Sequence, residues 1–243
     1  VIDATRLLDP RLGVVRQEAI TLGMSGAQVF RMLTADGEPV AIVKLVHSRP
    51  EELAGEIERL IWLSNLGIRV PEVLGVGEFW FAMRVLPGRP ASDPWPAQQR
   101  SAVIDQLADA ARKLHSTPVE NAPFDSSISM VMKDVRGRVA AEALTELEVA
   151  FASLGNGQLR LSHGDLSLPN VLLTPSDSAG FVDVGRAGLA DPHSDVADLL
   201  RSLRSDLNPQ FGPADAERFL DAYGRSEIDP ERLRLHDLLN SFF

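Results

Sequence analysis

The 243-residue chain has no cysteine. That excludes disulfides, thiolate zinc sites and a cysteine nucleophile. It has no long apolar run either. Its longest, such as "FWFAM" and "VLL", fall far short of the roughly 20 residues of a membrane helix. No basic-then-apolar leader opens the chain, so the expectation is a soluble, cytoplasmic protein with no membrane partner. It has no surplus of positive charge: 24 Lys and Arg stand against 34 Asp and Glu, a formal net charge of −10. Such a surface repels phosphate backbones and argues against a nucleic-acid partner. It suits a cationic ligand, although acidity also serves solubility alone. Internal repeats, low-complexity tracts and heptads are absent. What is present is the balance of an ordinary globular protein, 44% apolar and 24% charged. A chain of this length buries a full core without staples, as one large domain or two unequal lobes.

Residues 14–46 read as strands. "VVRQEAIT", "AQVFRML" and "PVAIVKLV" are rich in β-branched residues and are separated by turn signals, with Asp36-Gly37 at the tip of a hairpin. A helix follows: Ser48 and Glu51 have capping-box spacing, and Leu53, Ile57, Leu60, Ile61 and Leu66 recur at helical intervals up to Gly67. "VLGVGEF" and "FAMRVL" are two further strands. The proline-rich "PGRPASDPWP" reads as a linker over 87–96. It divides an N-terminal lobe, 1–86, from a C-terminal lobe, 97–243. Helices are expected over 97–116, roughly 133–154, 194–207, 213–224 and 229–242, with short strands within 159–183.

The chemistry concentrates in "SHGDLSLPN", Ser162 to Asn170. Asp165 and Asn170 have the Asp-to-Asn spacing of the protein-kinase catalytic loop H-R-D-L-x-x-x-N, with Gly164 in place of Arg. Further on, "GFVDVGR" is an apolar strand ending in Asp183, with Gly185 two residues beyond, the pattern of the kinase Asp that holds Mg²⁺. Magnesium wants hard oxygen ligands and takes only one or two from protein. Asn170 and Asp183 can supply them, and Asp165 can then accept the proton of an attacking hydroxyl. His163 either orients Asp165 or fills space. Upstream, "VAIVK" ends at Lys44, as the kinase phosphate-binding lysine does. Its carboxylate partner lies on the following helix, where periodicity leaves Glu56 and Glu52 as rivals. The "LGMSGAQ" loop, with Ser25, is placed to cover phosphates with backbone N–H groups. No H-R-D or A-P-E marks a protein kinase.

These residues carry a resemblance. "LSHGDLSLPNVLL", "GFVDVGRAGLADPHSDVADLLRSL" and "LHDLLNSFF" resemble the bacterial aminoglycoside O-phosphotransferases over nearly the whole chain, most specifically over 163–195. "ELAGEIERLIWL" is also similar to members acting on streptomycin. "TLGMSGAQVFRM" and the Phe-Phe ending are more similar to those acting on the 3'-hydroxyl of kanamycin and neomycin. The resemblance implies a two-lobed, protein-kinase-like α+β fold, with a five-stranded antiparallel N-lobe carrying one helix and a mostly helical C-lobe. It implies a Mg²⁺-dependent kinase that uses ATP, or in some members GTP, to inactivate a small antibiotic, as a monomer or weak homodimer. By the same resemblance Asp165 is the catalytic carboxylate, and Asn170 and Asp183 are the metal ligands. Lys44 holds phosphates and pairs with Glu56. Met83 and the backbone of Arg84 to Leu86 meet adenine. Arg186, Arg201, Asp206 and the Phe243 carboxylate lie near the antibiotic. Two departures bear on the antibiotic spectrum. Asn240 and Ser241 replace an acidic pair, and the region 125–158 is shorter than usual. The rival readings are a kinase of this fold for streptomycin, a macrolide, choline or homoserine, and a non-catalytic nucleotide-binding module.

Overall fold

The computed structural model describes residues 3–20, 27–136, 141–175 and 178–242. They form two compact units, Val1–Pro87 and Gly88–Phe243.

The first unit is a five-stranded antiparallel sheet and one long helix. The strands are β1 (Val14–Ile20), β2 (Gln28–Thr34), β3 (Pro39–Leu45), β4 (Val73–Gly77) and β5 (Trp80–Arg84), in the order β1-β2-β3-β5-β4. Gly37, at φ 83°, closes the β2–β3 hairpin by donating its N–H to the Thr34 carbonyl. Strand alternation decides what each face does. Ala41, Val43 and Leu45 point into a core with Ala4, Leu8, Phe30 and Met32. Lys44 therefore points to the opposite face, beside its register partner Phe81. Helix α1 (Pro50–Asn65) buries Leu53, Glu56, Leu60 and Leu63, so Glu56 lies on the apolar stripe of the helix. Ser48 does not cap this helix, contrary to the capping-box expectation. Arg49 occupies the N-cap at φ 58° and its guanidinium pairs with Glu52.

The second unit is mostly helical: α2 (Ala97–Ser116), α3 (Ile128–Arg136), α4 (Ala141–Leu154), α5 (His193–Leu203), α6 (Pro213–Tyr223) and α7 (Pro230–Asn240). The single helix expected over roughly 133–154 is thus two, α3 and α4, with 137–140 outside the described residues. Both serve one core, in which Ile128, Met132 and Leu147 meet Leu235 and Leu239 of α7. Short strands complete the unit: β6 (Arg89–Pro90), β7 (Arg160–Ser162), β8 (Val171–Leu173), β9 (Gly180–Phe181) and β10 (Gly188–Ala190). They pair as β6-β8-β9 and β10-β7. The proline-rich segment expected as a linker packs into this unit. Arg89 and Pro90 pair with Leu173 and Leu172, Ala91 is fully buried, and the Arg89 guanidinium lies 4.1 Å from the Trp95 ring centre.

Leu60 is 1% exposed on the stripe that presents Glu56. Leu60→Ala should lower unfolding stability by about 2–5 kcal/mol in urea titration, through lost burial plus a cavity.

Candidate active site

The turn after β7 is held almost entirely by its backbone. His163 and Gly164 donate their N–H groups to the two carboxylate oxygens of Asp195, at 2.7 and 2.8 Å. Asp195 is wholly buried at the start of α5, and His115 Nε2 on α2 lies 3.0 Å from its Oδ2. Burial alone pushes this carboxyl up. The His115 contact and the backbone donors outweigh burial and hold it below the usual carboxylate range. The Asp165 carbonyl accepts from Ser167 N–H and from Asn170 Nδ2, both at 2.9 Å. That carbonyl is turned inward, and among the described residues no protein group donates to the half-buried Asp165 carboxylate. His163 does the orienting job left open by the sequence. Its Nε2 meets the Val182 carbonyl at 3.0 Å, a partner that can only accept, so the proton sits on Nε2 and Nδ1 accepts Asp165 N–H at 3.3 Å.

Gly164 has φ 79°, and a Cβ there would lie 2.5 Å from the Arg186 carbonyl oxygen. This explains why no arginine can stand before Asp165. Val182 N–H donates to the Asn170 carbonyl at 3.1 Å, which brings Asn170 and Asp183 to the same end of the β8–β9 pair. Asp183 takes a left-handed backbone, φ 59°, a conformation that costs a residue other than glycine roughly 1–2 kcal/mol. Asn170 spends its amide nitrogen on Asp165, leaving its side-chain oxygen as the remaining ligand atom. Two hard oxygens, one of them on Asp183, fit a magnesium ion that keeps most of its waters.

In the first unit, Lys44 Nζ lies 2.6 Å from Glu56 Oε1, and both side chains are largely buried. Glu52 turns instead to Arg49, so only one of the two rivals reaches the lysine. Met83 is buried at the end of β5. Arg84 and Val85 spend their N–H groups on Glu72 and Val40, and the Arg84 side chain also pairs with Glu72. The Leu86 N–H has no backbone partner among the described residues.

The expected antibiotic contacts are placed unevenly. Arg186 is exposed and its carbonyl accepts from the Ser126 hydroxyl. Arg201 is tied to Asp198 at 2.8 Å. Asp206 is exposed in the turn after α5. Ser25 and Phe243 lie outside the described residues.

Three carboxylate and histidine groups of this site escaped the sequence reading: Asp195, Asp198 and His115. The legible signal was an acid on an apolar helix face, since Asp195 and Asp198 alternate with buried Val196, Leu199 and Leu200. Asp198 also changes the meaning of Asn240. Asn240 Nδ2 donates to Asp198 Oδ1 at 3.0 Å. A carboxylate at 240 would face another carboxylate, whereas the amide complements it.

A family model described as "Phosphotransferase enzyme family" matches residues 16–236. The chain belongs to that family. An aminoglycoside 3'-phosphotransferase of Streptomyces fradiae is 37% identical, over 93% of this chain and 94% of its own. A streptomycin 3''-kinase of Streptomyces griseus is 34% identical, over 90% and 89%. Among solved structures, an aminoglycoside 3'-phosphotransferase of type VIII superposes with a TM-score of 0.81 at 36% identity, covering 99% of this chain and 98% of its own. An aminoglycoside phosphotransferase of Streptomyces rimosus, solved with ADP and streptomycin, superposes with a TM-score of 0.75 at 29% identity, covering 100% and 99%. The fold is therefore the kinase-like α+β fold of these phosphotransferases.

Two outcomes follow from this geometry. Gly164→Ala places a methyl against the Arg186 carbonyl in a left-handed conformation, so it should lower stability by about 1–3 kcal/mol and disturb the turn; thermal melts and kcat would record both. Asp198 is pushed up to about 7, by burial first and then by Asp195 and Asp165, with half-exposed Arg201 offsetting only part. A carboxyl raised on folding stabilises fully below its unfolded value and loses that contribution as pH rises through about 7. Asp198→Asn should remove this slope, gaining on the wild type by an amount on the order of 4 kcal/mol at most between pH 4 and 8. Urea titrations of both proteins at those two pH values check it.

Proposed function

We propose that this chain transfers the γ-phosphoryl group of Mg·ATP to a hydroxyl of an aminoglycoside, the 3'-hydroxyl of the kanamycin and neomycin type being favoured. The observation that carries this reading is the Asp165 carboxylate. It receives no hydrogen bond from the described protein, yet its backbone is fixed on both sides. That is the arrangement of a group kept for an acceptor hydroxyl. Two relatives that are 37% identical to this chain carry aminoglycoside 3'-phosphotransferase names, which supports the class of acceptor.

Each residue then has one task. Asp165 accepts or orients the hydroxyl proton as the oxygen attacks phosphorus. Asn170 and Asp183 would hold magnesium, which offsets the charge of the phosphates. Lys44, kept in place by Glu56, presents its ammonium to the α- and β-phosphates. Ser25 adds a donor at the phosphates. Met83 and the backbone of Arg84 to Leu86 take the adenine, with the Leu86 N–H as a donor. Arg186, Arg201, Asp206 and Phe243 contribute to the acceptor pocket. An acidic chain, net −10, also favours the approach of a polycationic antibiotic. Positioning and charge neutralisation supply most of the rate. A second reading, the 3''-hydroxyl of streptomycin, is supported by the 34% identical streptomycin kinase.

Purified protein with Mg·ATP and kanamycin, neomycin or streptomycin in turn, followed by ADP release, tests the reading, and phosphorus NMR assigns the modified hydroxyl. Turnover with kanamycin or neomycin is expected. Turnover with choline or homoserine alone would overturn it. Asp165→Ala should lose about 10²–10⁴ in kcat with nucleotide affinity little changed. Lys44→Ala should raise KM for ATP more than KM for the antibiotic, since its cation serves the phosphates; steady-state kinetics with each substrate varied checks both.

A further inference from the structure

The second unit contains a cavity of about 720 Å³ that none of the roles above uses. It is lined by the C-terminal turns of α2, the start of β7, the start of α5 and the segments after α6. In strand register it lies away from the catalytic turn. Arg160, on its wall, is at the outer end of β7, opposite Ala190, while Ser162 leads into the turn. The volume is that of a pocket for a metabolite-sized ligand.

Its charge runs against that of the whole molecule. Arg112, Lys113, Arg160 and Arg232 line it against Asp109, Asp191 and Glu227, in a chain of net charge −10. Two of the three acids are paired with cations of the same wall, and Glu227, among the described residues, is not. Asp109 is 2.8 Å from Lys113 and 3.7 Å from Arg112, and Asp191 is 2.9 Å from Arg232 and 2.6 Å from His193. The Arg160 guanidinium has no ion pair among the described residues. Between these cations, Val196, Pro192 and Ile228 provide apolar wall. Arginine forks match phosphate and carboxylate oxygens. The chemistry is that of an anion carrying an apolar body.

The buried wall connects the cavity to the turn. Tyr223 and His115, each 6% exposed, both line it. The Tyr223 hydroxyl is 2.8 Å from His115 Nδ1, and His115 Nε2 is 3.0 Å from Asp195 Oδ2. Ionised Asp195 can only accept, so His115 donates to it from Nε2, and with the imidazole neutral its Nδ1 accepts the tyrosine proton. The other contacts of Asp195 are the N–H groups of His163 and Gly164. One relay of hydrogen bonds thus runs from the cavity wall to the residues before Asp165.

We propose that this cavity is a second ligand site, for a small organic anion with an apolar body, and that Tyr223–His115–Asp195 transmits its occupancy to the catalytic turn. Tyr223 is the only tyrosine in the chain, so 3-fluorotyrosine gives a single ¹⁹F resonance inside the site. The full chain would be titrated with phenyl phosphate, phenylacetate and, as the neutral control, benzyl alcohol. One or both anions should move the resonance saturably, the alcohol should not, and Arg112→Ala with Arg160→Ala should weaken binding about tenfold or more. Preference between the two anions tells phosphate from carboxylate. The amide proton shifts of His163 and Gly164 should follow the same curve in the wild type. They should cease to move in Tyr223→Phe, which keeps the ring and removes only the hydroxyl. A silent resonance with both anions, equal movement with benzyl alcohol, or binding indifferent to the two arginines would overturn the site. Saturation of the cavity with unmoved turn amides would overturn the relay.

Discussion

The second unit is organised around one buried anion. The Asp195 carboxylate accepts the N–H groups of His163 and Gly164 and meets His115 Nε2, all within 3.0 Å. A carboxylate taken out of water is tolerated only when its lone pairs are met in this way. Removing one partner of such a buried set typically costs about 3–5 kcal/mol. The consequence is geometric as well as energetic. Two consecutive amides aimed at one carboxylate fix the plane of the turn, Gly164 takes φ 79° to allow it, and the Arg186 carbonyl closes the space where a side chain would be. Asp165 follows immediately. Its carbonyl is turned inward by Ser167 and Asn170, and among the described residues no protein group donates to its carboxylate. The precision that phosphoryl transfer needs is therefore set by a residue thirty positions away in sequence.

The first unit solves a different problem with the same economy. Period-two alternation sends Ala41, Val43 and Leu45 into the core and Lys44 to the other face. Helical periodicity puts Glu56 among Leu53, Leu60 and Leu63. The 2.6 Å pair between them follows from the two periods meeting.

Much of this was legible in the sequence because it is periodic or local. Strand alternation, the hairpin at Asp36-Gly37 and the helix over 97–116 are properties of short windows, and the structure places them there. The Asp165–Asn170 spacing is local too. What escaped was set by distance. Ser48 has the spacing of a capping residue, but the left-handed backbone of Arg49 enters the helix another way. The proline-rich segment looks like a tether, yet Ala91 is buried by strands formed eighty residues later. Asn240 reads as a lost acid until Asp198, on another helix, is found beside it. Asp195 itself reads as one polar residue in a helix, since its three partners come from α2 and the turn.

If Asp195 governs the turn, hydrogen exchange at individual amides should reveal it. In the wild type, the His163 and Gly164 amides should be among the slowest to exchange. In Asp195→Asn, where one carboxylate oxygen becomes an NH₂ facing an N–H donor, both should exchange at least tenfold faster, while amides of β3 and α1 in the first unit keep their rates. Fast exchange at His163 and Gly164 in the wild type, or rates unaltered by Asp195→Asn, would contradict the account.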